Sequence, residues 1–230
     1  MRVLILRPQE LLAETVRLLR ENGFEAYGCP FIKLSYNEFE VPEHDYAIIT
    51  SQNAARAVVE RGIKLNKVIA IGRKTAEVLE KAGYTVLKPT KFDSKTLYFE
   101  FSEELRGKKV VALRSNAGSD VLRKLAEIAD FTEVEVYRIE KLHGEEQERE
   151  IERVRSGFYD VIVFSSSMIA ESFLEMCPEN ALQRLTLVAI GPPTAKVLEN
   201  HGFKALVPEE YTFDGILQLL KSLRGGDFRY

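Results

Sequence analysis

The sequence predicts an α/β protein made of two similar domains, each a mostly parallel five-stranded sheet flanked by helices. Three observations predict it. Residues 3–6, 47–49, 110–113 and 161–164 are short, continuously apolar runs, as expected of strands covered on both faces in a parallel sheet. These runs alternate with helical patterns along the whole chain, which favours parallel sheets with right-handed crossovers. One strand–glycine–helix stretch also occurs twice: residues 70–84 match residues 189–203 at nine of fifteen positions.

In the second copy Ile190 ends an apolar run and Gly191 allows a tight turn into a helix. Pro192 and Pro193 suit a helix start, where a missing N–H costs little. Thr194 lies in the first turn, among free backbone donors. Such a turn offers donors without a built-in acceptor and favours an anion. No Gly-x-Gly-x-x-Gly is present, so a dinucleotide site is unsupported.

The elements follow in order. Residues 2–7 are a first strand. Residues 9–22 place Leu11, Leu12, Val16 and Leu19 at helical spacing, and Asn22-Gly23 ends that helix. A strand at 24–29 completes one βαβ unit. Residues 30–44 hold Pro30, Pro42 and no helical period, and read as an extended connector. A strand at 45–50, a polar turn at 51–53 and a helix over 54–61 come next. Then come a strand at 67–71, the first copy of the repeat, a short strand at 85–88 and a helix over 94–105. Residues 109–114 resemble 2–7, an apolar strand ending in Arg. A polar turn at 115–119 leads to a helix through Ala129, a strand at 132–137 and an extended continuation to 142. Residues 145–156 form a highly charged helix with a solvated face. A strand at 160–165 mirrors 45–50, and a helix through Met176 follows. Strand 185–190 enters the second copy. A strand at 204–207 and a helix at 212–223 close the series, and a tail after Gly225-Gly226 is expected to fray.

The pattern is a short piece, a long piece, a short piece and a long piece. A break near Gly107 satisfies it. So does an interleaved division, with 36–136 as one domain and 1–33 plus 142–230 as the other. Periodicity does not choose between them.

With 230 residues, 45% apolar and 29% charged, the chain has an ordinary globular composition. A net charge of −3 argues against a nucleic-acid binder. No apolar run approaches the ~20 residues of a membrane span, and the first residues read as a strand rather than a secretory signal. Cys29 and Cys177 make no metal pattern and are expected reduced, in a cytoplasmic protein. His44, His143 and His201 are too scattered for a metal cluster.

Ligands of open α/β folds bind beyond the carboxyl ends of the strands. Arg7, residues 50–53, Gly72-Arg73-Lys74-Thr75, Arg114-Ser115-Asn116, residues 165–167 and residues 191–194 fall there. These are hydroxyls, amides, glycines and a few cations, without a carboxylate pair or a Cys/His pair. The set suits recognition of several anionic groups rather than nucleophilic or metal-assisted catalysis. Thr50, Ser51, Ser165 and Ser166 also fit as helix caps, and Gly72 and Gly191 as turn glycines.

The sequence resembles the uroporphyrinogen-III synthase family over almost its whole length. The matching pieces are residues 49–54 (Ile-Thr-Ser-Gln-Asn-Ala), 134–137 (Val-Glu-Val-Tyr), 163–167 (Val-Phe-Ser-Ser-Ser) and 189–195 (Ala-Ile-Gly-Pro-Pro-Thr-Ala). The resemblance implies the interleaved division. One domain is then 1–33 with 142–230 and the other is 36–136. They are joined by a two-stranded connector at 34–35 and 137–141, with a cleft between them. It implies a hydro-lyase that cyclises hydroxymethylbilane to uroporphyrinogen III with inversion of ring D, in the tetrapyrrole pathway to heme, siroheme and cobalamin. No cofactor and no metal are implied. The substrate is a linear tetrapyrrole. No nucleic acid and no membrane are expected, and a transient contact with the preceding pathway enzyme is. A monomer is the default. By this match Tyr137 assists loss of the ring A hydroxyl, or is a connector tyrosine packed in the hinge. Thr50, Ser51, Asn53, Gly72, Arg73, Arg114, Ser165, Ser166, Gly191 and Thr194 are the candidate substrate-binding residues. Residues 114–119 lack the glycine after Arg114 and the arginine at position 119 that are common in bacterial relatives. This puts an arginine contact from that loop in doubt; Arg73 or Lys74 could supply charge instead. Position 193 is Pro where many relatives have Thr. The competing reading is a non-enzymatic two-domain module that binds a small polyanion.

Overall fold

A computed structural model describes residues 1–226; the tail expected to fray lies outside them. In chain order the elements are β1 (Arg2–Leu6), α1 (Gln9–Glu21), β2 (Glu25–Cys29), β3 (Ile32–Tyr36), β4 (Tyr46–Ile49), α2 (Gln52–Glu60), β5 (Lys67–Ala70), α3 (Arg73–Lys81), β6 (Val86–Leu87), α4 (Ser94–Leu105), β7 (Lys109–Ser115) and β8 (Asp130–Lys141). They continue with α5 (Glu145–Arg155), β9 (Val161–Phe164), α6 (Ser167–Met176), β10 (Thr186–Ala189), α7 (Pro192–Asn200) and α8 (Phe213–Gly225). Contacts divide the chain into one unit of Met1–Lys33 with Glu140–Tyr230 and another of Leu34–Ile139.

The discontinuous unit holds a four-stranded sheet in the order β10-β9-β1-β2, every pair parallel. Val3, Leu4, Ile5 and Leu6 of β1 are fully buried, because β1 has a strand on each side and helices on both faces. Val3 and Ile5 pack with Leu12 and Leu19 of α1 and with Ile216, Leu217 and Leu220 of α8. Phe173 of α6 sits edge-on to Phe31 and Phe164, at centroid distances of 5.1 and 5.4 Å.

The continuous unit carries the strands β8-β7-β4-β5-β6, extended by β3 to a six-stranded sheet. Alternate residues of β4 serve opposite faces, as the period of a strand requires. Ala47 and Ile49 join one apolar cluster, and Tyr46 and Ile48 the other.

Several expectations need correction. The sheets have four and six strands, not five each. Residues 204–207 make a single bridge, Val188 to Leu206, rather than a strand. Residues read as connector contain β3 instead. The Asn37 N–H donates to the Val136 carbonyl (3.0 Å) and the Leu142 N–H to the Phe31 carbonyl (3.0 Å). Numbers rise on one strand as they fall on the other, so β3 and β8 run antiparallel. Lastly, the helix expected after residue 119 is a 3-10 helix, Asp120–Glu127. Its buried residues, Leu122 and Leu125, are three apart, the period of that helix.

Cys29 and Cys177 are both free and buried. Burial pushes each thiol up to about 12, so both stay protonated and unreactive at neutral pH.

Candidate functional site

The registers bring strand ends to one level in each unit. In the discontinuous unit Leu6 pairs with Cys29 and Phe164, and Phe164 with Ala189. Arg7, Ser165 and the turn at Gly191 therefore emerge side by side. In the continuous unit Ile49 pairs with Ala70 and with Leu113, so Thr50, Gly72 and Arg114 follow from neighbouring strands.

Ser51 caps α2, accepting from the Ala54 N–H at 3.1 Å, and Ser166 caps α6, accepting from the Ile169 N–H at 3.2 Å. Both are half-buried, as are Thr50, Asn53 and Ser165. α2, α3, α6 and α7 carry no acidic residue in their first turns. α1, α5 and α8 carry Glu10, three glutamates and Asp214 there. The positive ends of the four helices that follow the polar turns are thus left uncompensated, a setting that favours an incoming anion. Arg73 and Lys74 are exposed at the start of α3.

The two copies of the repeat share letters but not backbone. Gly72 has φ +114, a region closed to side chains without strain. Gly191 has φ −170, which any residue adopts. At Gly191 an added Cβ would lie 3.4 Å from Tyr211 Cγ. Thr75 and Thr194 occupy matching positions, each 3% exposed. Gly72→Ala is expected to destabilise the protein by ~1–3 kcal/mol and Gly191→Ala by well under ~1 kcal/mol. Urea denaturation of both variants checks this, and equal costs would remove the distinction.

Tyr137 owes its place to a bulge. Arg114 pairs with Glu135 but Ser115 pairs with Tyr137, so Val136 is an extra residue in β8. Bulges re-aim side chains, and here Val136 and Tyr137, though consecutive, both enter the same apolar cluster. The Tyr137 ring is 5% exposed and lies 6.0 Å from the ring of Tyr36. Its hydroxyl donates to Ser51 Oγ at 3.1 Å, bringing together two residues 86 positions apart.

Arg114 is placed differently from the other candidates. It is 4% exposed, and its Nη1 donates to Glu133 Oε1 at 2.6 Å. Its guanidinium crosses the backbone of Gly118 so closely that an added Cβ there would fall 1.9 Å from Nη2. The charge is spent inside the protein, holding the loop after β7.

Tyr211 escaped the sequence reading. It is 60% exposed and covers the turn at Gly191. The signal was a tyrosine in the polar run after Pro208. A groove of about 870 Å³ beside β10 and α7 is lined in part by Pro192, Lys196 and Tyr211. It touches the polar set only at its edge. Among the described residues no group of three or more His, Cys, Asp or Glu could hold a metal, and no helix is long and apolar enough to cross a membrane.

Comparison with known proteins gives concordant results. The family model described as "Uroporphyrinogen-III synthase HemD" matches residues 13–218. An Archaeoglobus fulgidus protein named "Putative uroporphyrinogen-III synthase" is 66% identical over 225 residues, covering 96% of this chain and 99% of the relative. A crystal structure of a mutant uroporphyrinogen III synthase from the extremely thermophilic bacterium Thermus thermophilus superposes with a TM-score of 0.73 at 20% identity, over 98% of this chain and 99% of that one. The uroporphyrinogen-III synthetase of Helicobacter pylori superposes with a TM-score of 0.62 at 20% identity, over 97% and 100%. These two structures speak to the α/β fold.

Proposed function

The chain belongs to the uroporphyrinogen-III synthase family, and on that premise we propose that it closes hydroxymethylbilane into uroporphyrinogen III, inverting ring D and releasing water. The observation that carries the reading is the family match across nearly the entire chain. The polar strand ends support it, since a linear tetrapyrrole with eight carboxylates needs many donors and few acids around it.

In this reading the two units act as separate domains, each with polar loops at its strand ends that bind carboxylates. Thr50, Ser51, Asn53, Gly72, Arg73, Ser165, Ser166, Gly191 and Thr194 position its carboxylates through hydroxyls, amides, backbone N–H groups and one cation. Arg114 is left out because Glu133 already neutralises it. The ring A hydroxyl leaves as water when its C–O bond breaks and a proton reaches the departing oxygen. Tyr137 is the candidate donor of that proton, and its phenolate recovers the proton released when ring D regains its aromatic pyrrole. The electron pair of the pyrrole compensates the broken bond, giving an azafulvene-like cation. The protein holds the folded chain so that ring D attacks through its substituted carbon, forming a spiro intermediate on the way to the inverted product. Holding the reacting ends together is the larger effect. The same reading makes the protein a cytoplasmic, monomeric hydro-lyase of tetrapyrrole biosynthesis.

The test is to incubate the protein with hydroxymethylbilane, oxidise the products and separate the uroporphyrin isomers. Type III product is expected. Type I alone, the spontaneous product, overturns the assignment.

A further inference from the structure

The most unusual polar atom in the discontinuous unit belongs to Arg7, at the carboxyl end of β1. Its Nε is buried and has no hydrogen-bond partner. Its Nη1 donates to Thr15 Oγ1 of α1 at 2.8 Å, and Thr15 in turn donates to the Leu11 carbonyl at 2.6 Å. The face of the guanidinium rests on the ring of Phe213, 4.9 Å from its centroid. One end and one face are therefore fixed. Among the described residues Nη2 has no partner, and it is not one of the enclosed atoms.

What remains unused is the edge formed by Nε and Nη2. On a guanidinium those two N–H groups point the same way and fit the two oxygens of a carboxylate. No carboxylate of the described residues lies within ion-pair reach of Arg7. Glu14 acts on it only at a distance, and burial lowers the guanidinium's affinity for its proton from the ordinary value. A half-buried cation without a counter-ion is unfavourable, and an incoming anion relieves that cost. Hydroxyls and amides serve many kinds of acceptor, but the paired N–H groups of a guanidinium edge match the two oxygens of a planar carboxylate.

We propose that Arg7 is a carboxylate-binding residue, meeting one carboxylate of the substrate at the accessible Nη2 and, once a shift of the side chain uncovers it, at the enclosed Nε. This rests on the synthase reading. Ser165 lies beside it, since its N–H donates to the Leu6 carbonyl at 3.2 Å. Thr15 and Phe213 are positioning residues that aim the guanidinium.

The test uses the full-length protein as wild type, Arg7→Gln and Arg7→Lys. Uroporphyrin III, a stable octacarboxylate, is titrated into each by fluorescence, and turnover of hydroxymethylbilane is measured separately. Arg7→Gln is expected to weaken porphyrin binding and raise KM, each about tenfold, with kcat nearly unchanged. Arg7→Lys is expected to recover only part, because it keeps the charge but loses the bidentate edge. The melting temperature of ligand-free Arg7→Gln should equal or exceed that of wild type, since an uncompensated cation has gone. Unchanged binding and KM in both variants, with wild type active, overturns the role of Arg7 alone. So does a variant Arg7→Gln that unfolds or melts several degrees lower, which would make Arg7 a structural brace. A wild type that neither binds porphyrin nor yields type III product overturns the synthase reading and this assignment together.

Discussion

Tyr137→Phe lowers the rate of type III product formation by about 10²-fold, the usual size of a lost acid contribution. The substitution removes one hydroxyl, which donates to Ser51 Oγ at 3.1 Å. Losing that hydrogen bond alone costs stability only ~1 kcal/mol, so the protein stays folded at assay temperature. Because the bilane also closes spontaneously, slow enzymatic closure lets type I product accumulate. The ratio of isomers therefore reports the defect as directly as the rate does. Ser51→Ala is the companion variant. It removes the partner of the phenol and the cap of α2 together, with a stability cost of ~1 kcal/mol. Wild-type rates and isomer ratios in Tyr137→Phe would leave Tyr137 as packing against Tyr36 and nothing more.

Glu133→Gln lowers stability by ~3 kcal/mol, because it strands a buried cation. Glu133 is shared: one oxygen accepts from Arg114 Nη1 and the other from Arg123 Nε at 3.0 Å. The two halves differ in weight. Arg123 is 62% exposed in its side chain, and removing it should cost under ~1 kcal/mol, as exposed pairs do. Arg114 is enclosed and cannot turn to solvent without opening the loop over Gly118. Urea titration of Glu133→Gln and Arg123→Ala separates the two. A midpoint for Glu133→Gln within error of wild type would mean that Arg114 is not held as an enclosed pair, and would return it to the set of substrate ligands.

Arg114 also shows where reading residues in order runs out. Its position at a strand end was legible, and an arginine there fits an anion. Its partner is 19 residues away, on a neighbouring strand, and only packing reveals that the charge is already taken. Strand ends and helix starts were legible because hydrophobic period and turn chemistry are local. Ser51 and Ser166 could be recognised as possible caps for the same reason. β3 was missed although Ile32, Leu34 and Tyr36 alternate with Lys33 and Ser35; the prolines on either side outweighed a correct period-two signal. The bulge at Val136 left no mark in the sequence, since nothing about Glu-Val-Tyr states which residue will lack a partner. Gly72 and Gly191 sit in matching sequence yet differ in φ, because tertiary surroundings, not the repeat, set that angle.

The discontinuity of the first unit has a consequence for how the chain is made. β1 lies inside its sheet, between β2 and β9, and the Arg2 N–H donates to Asp160 Oδ2 across 158 positions. During synthesis the N-terminal end emerges first. β1 then has β2 beside it, but its other edge stays open until β9 has been made. The strands of the continuous unit end at Lys141, before β9 begins at Val161, so that half can condense while the first residues still wait. An open strand with four consecutive apolar residues, Val3, Leu4, Ile5 and Leu6, is the kind of edge on which chains associate wrongly, and closing so long a loop is slow. The order of translation therefore assigns the vulnerable interval to Arg2–Leu6, and the yield of folded protein should depend on how soon β9 arrives.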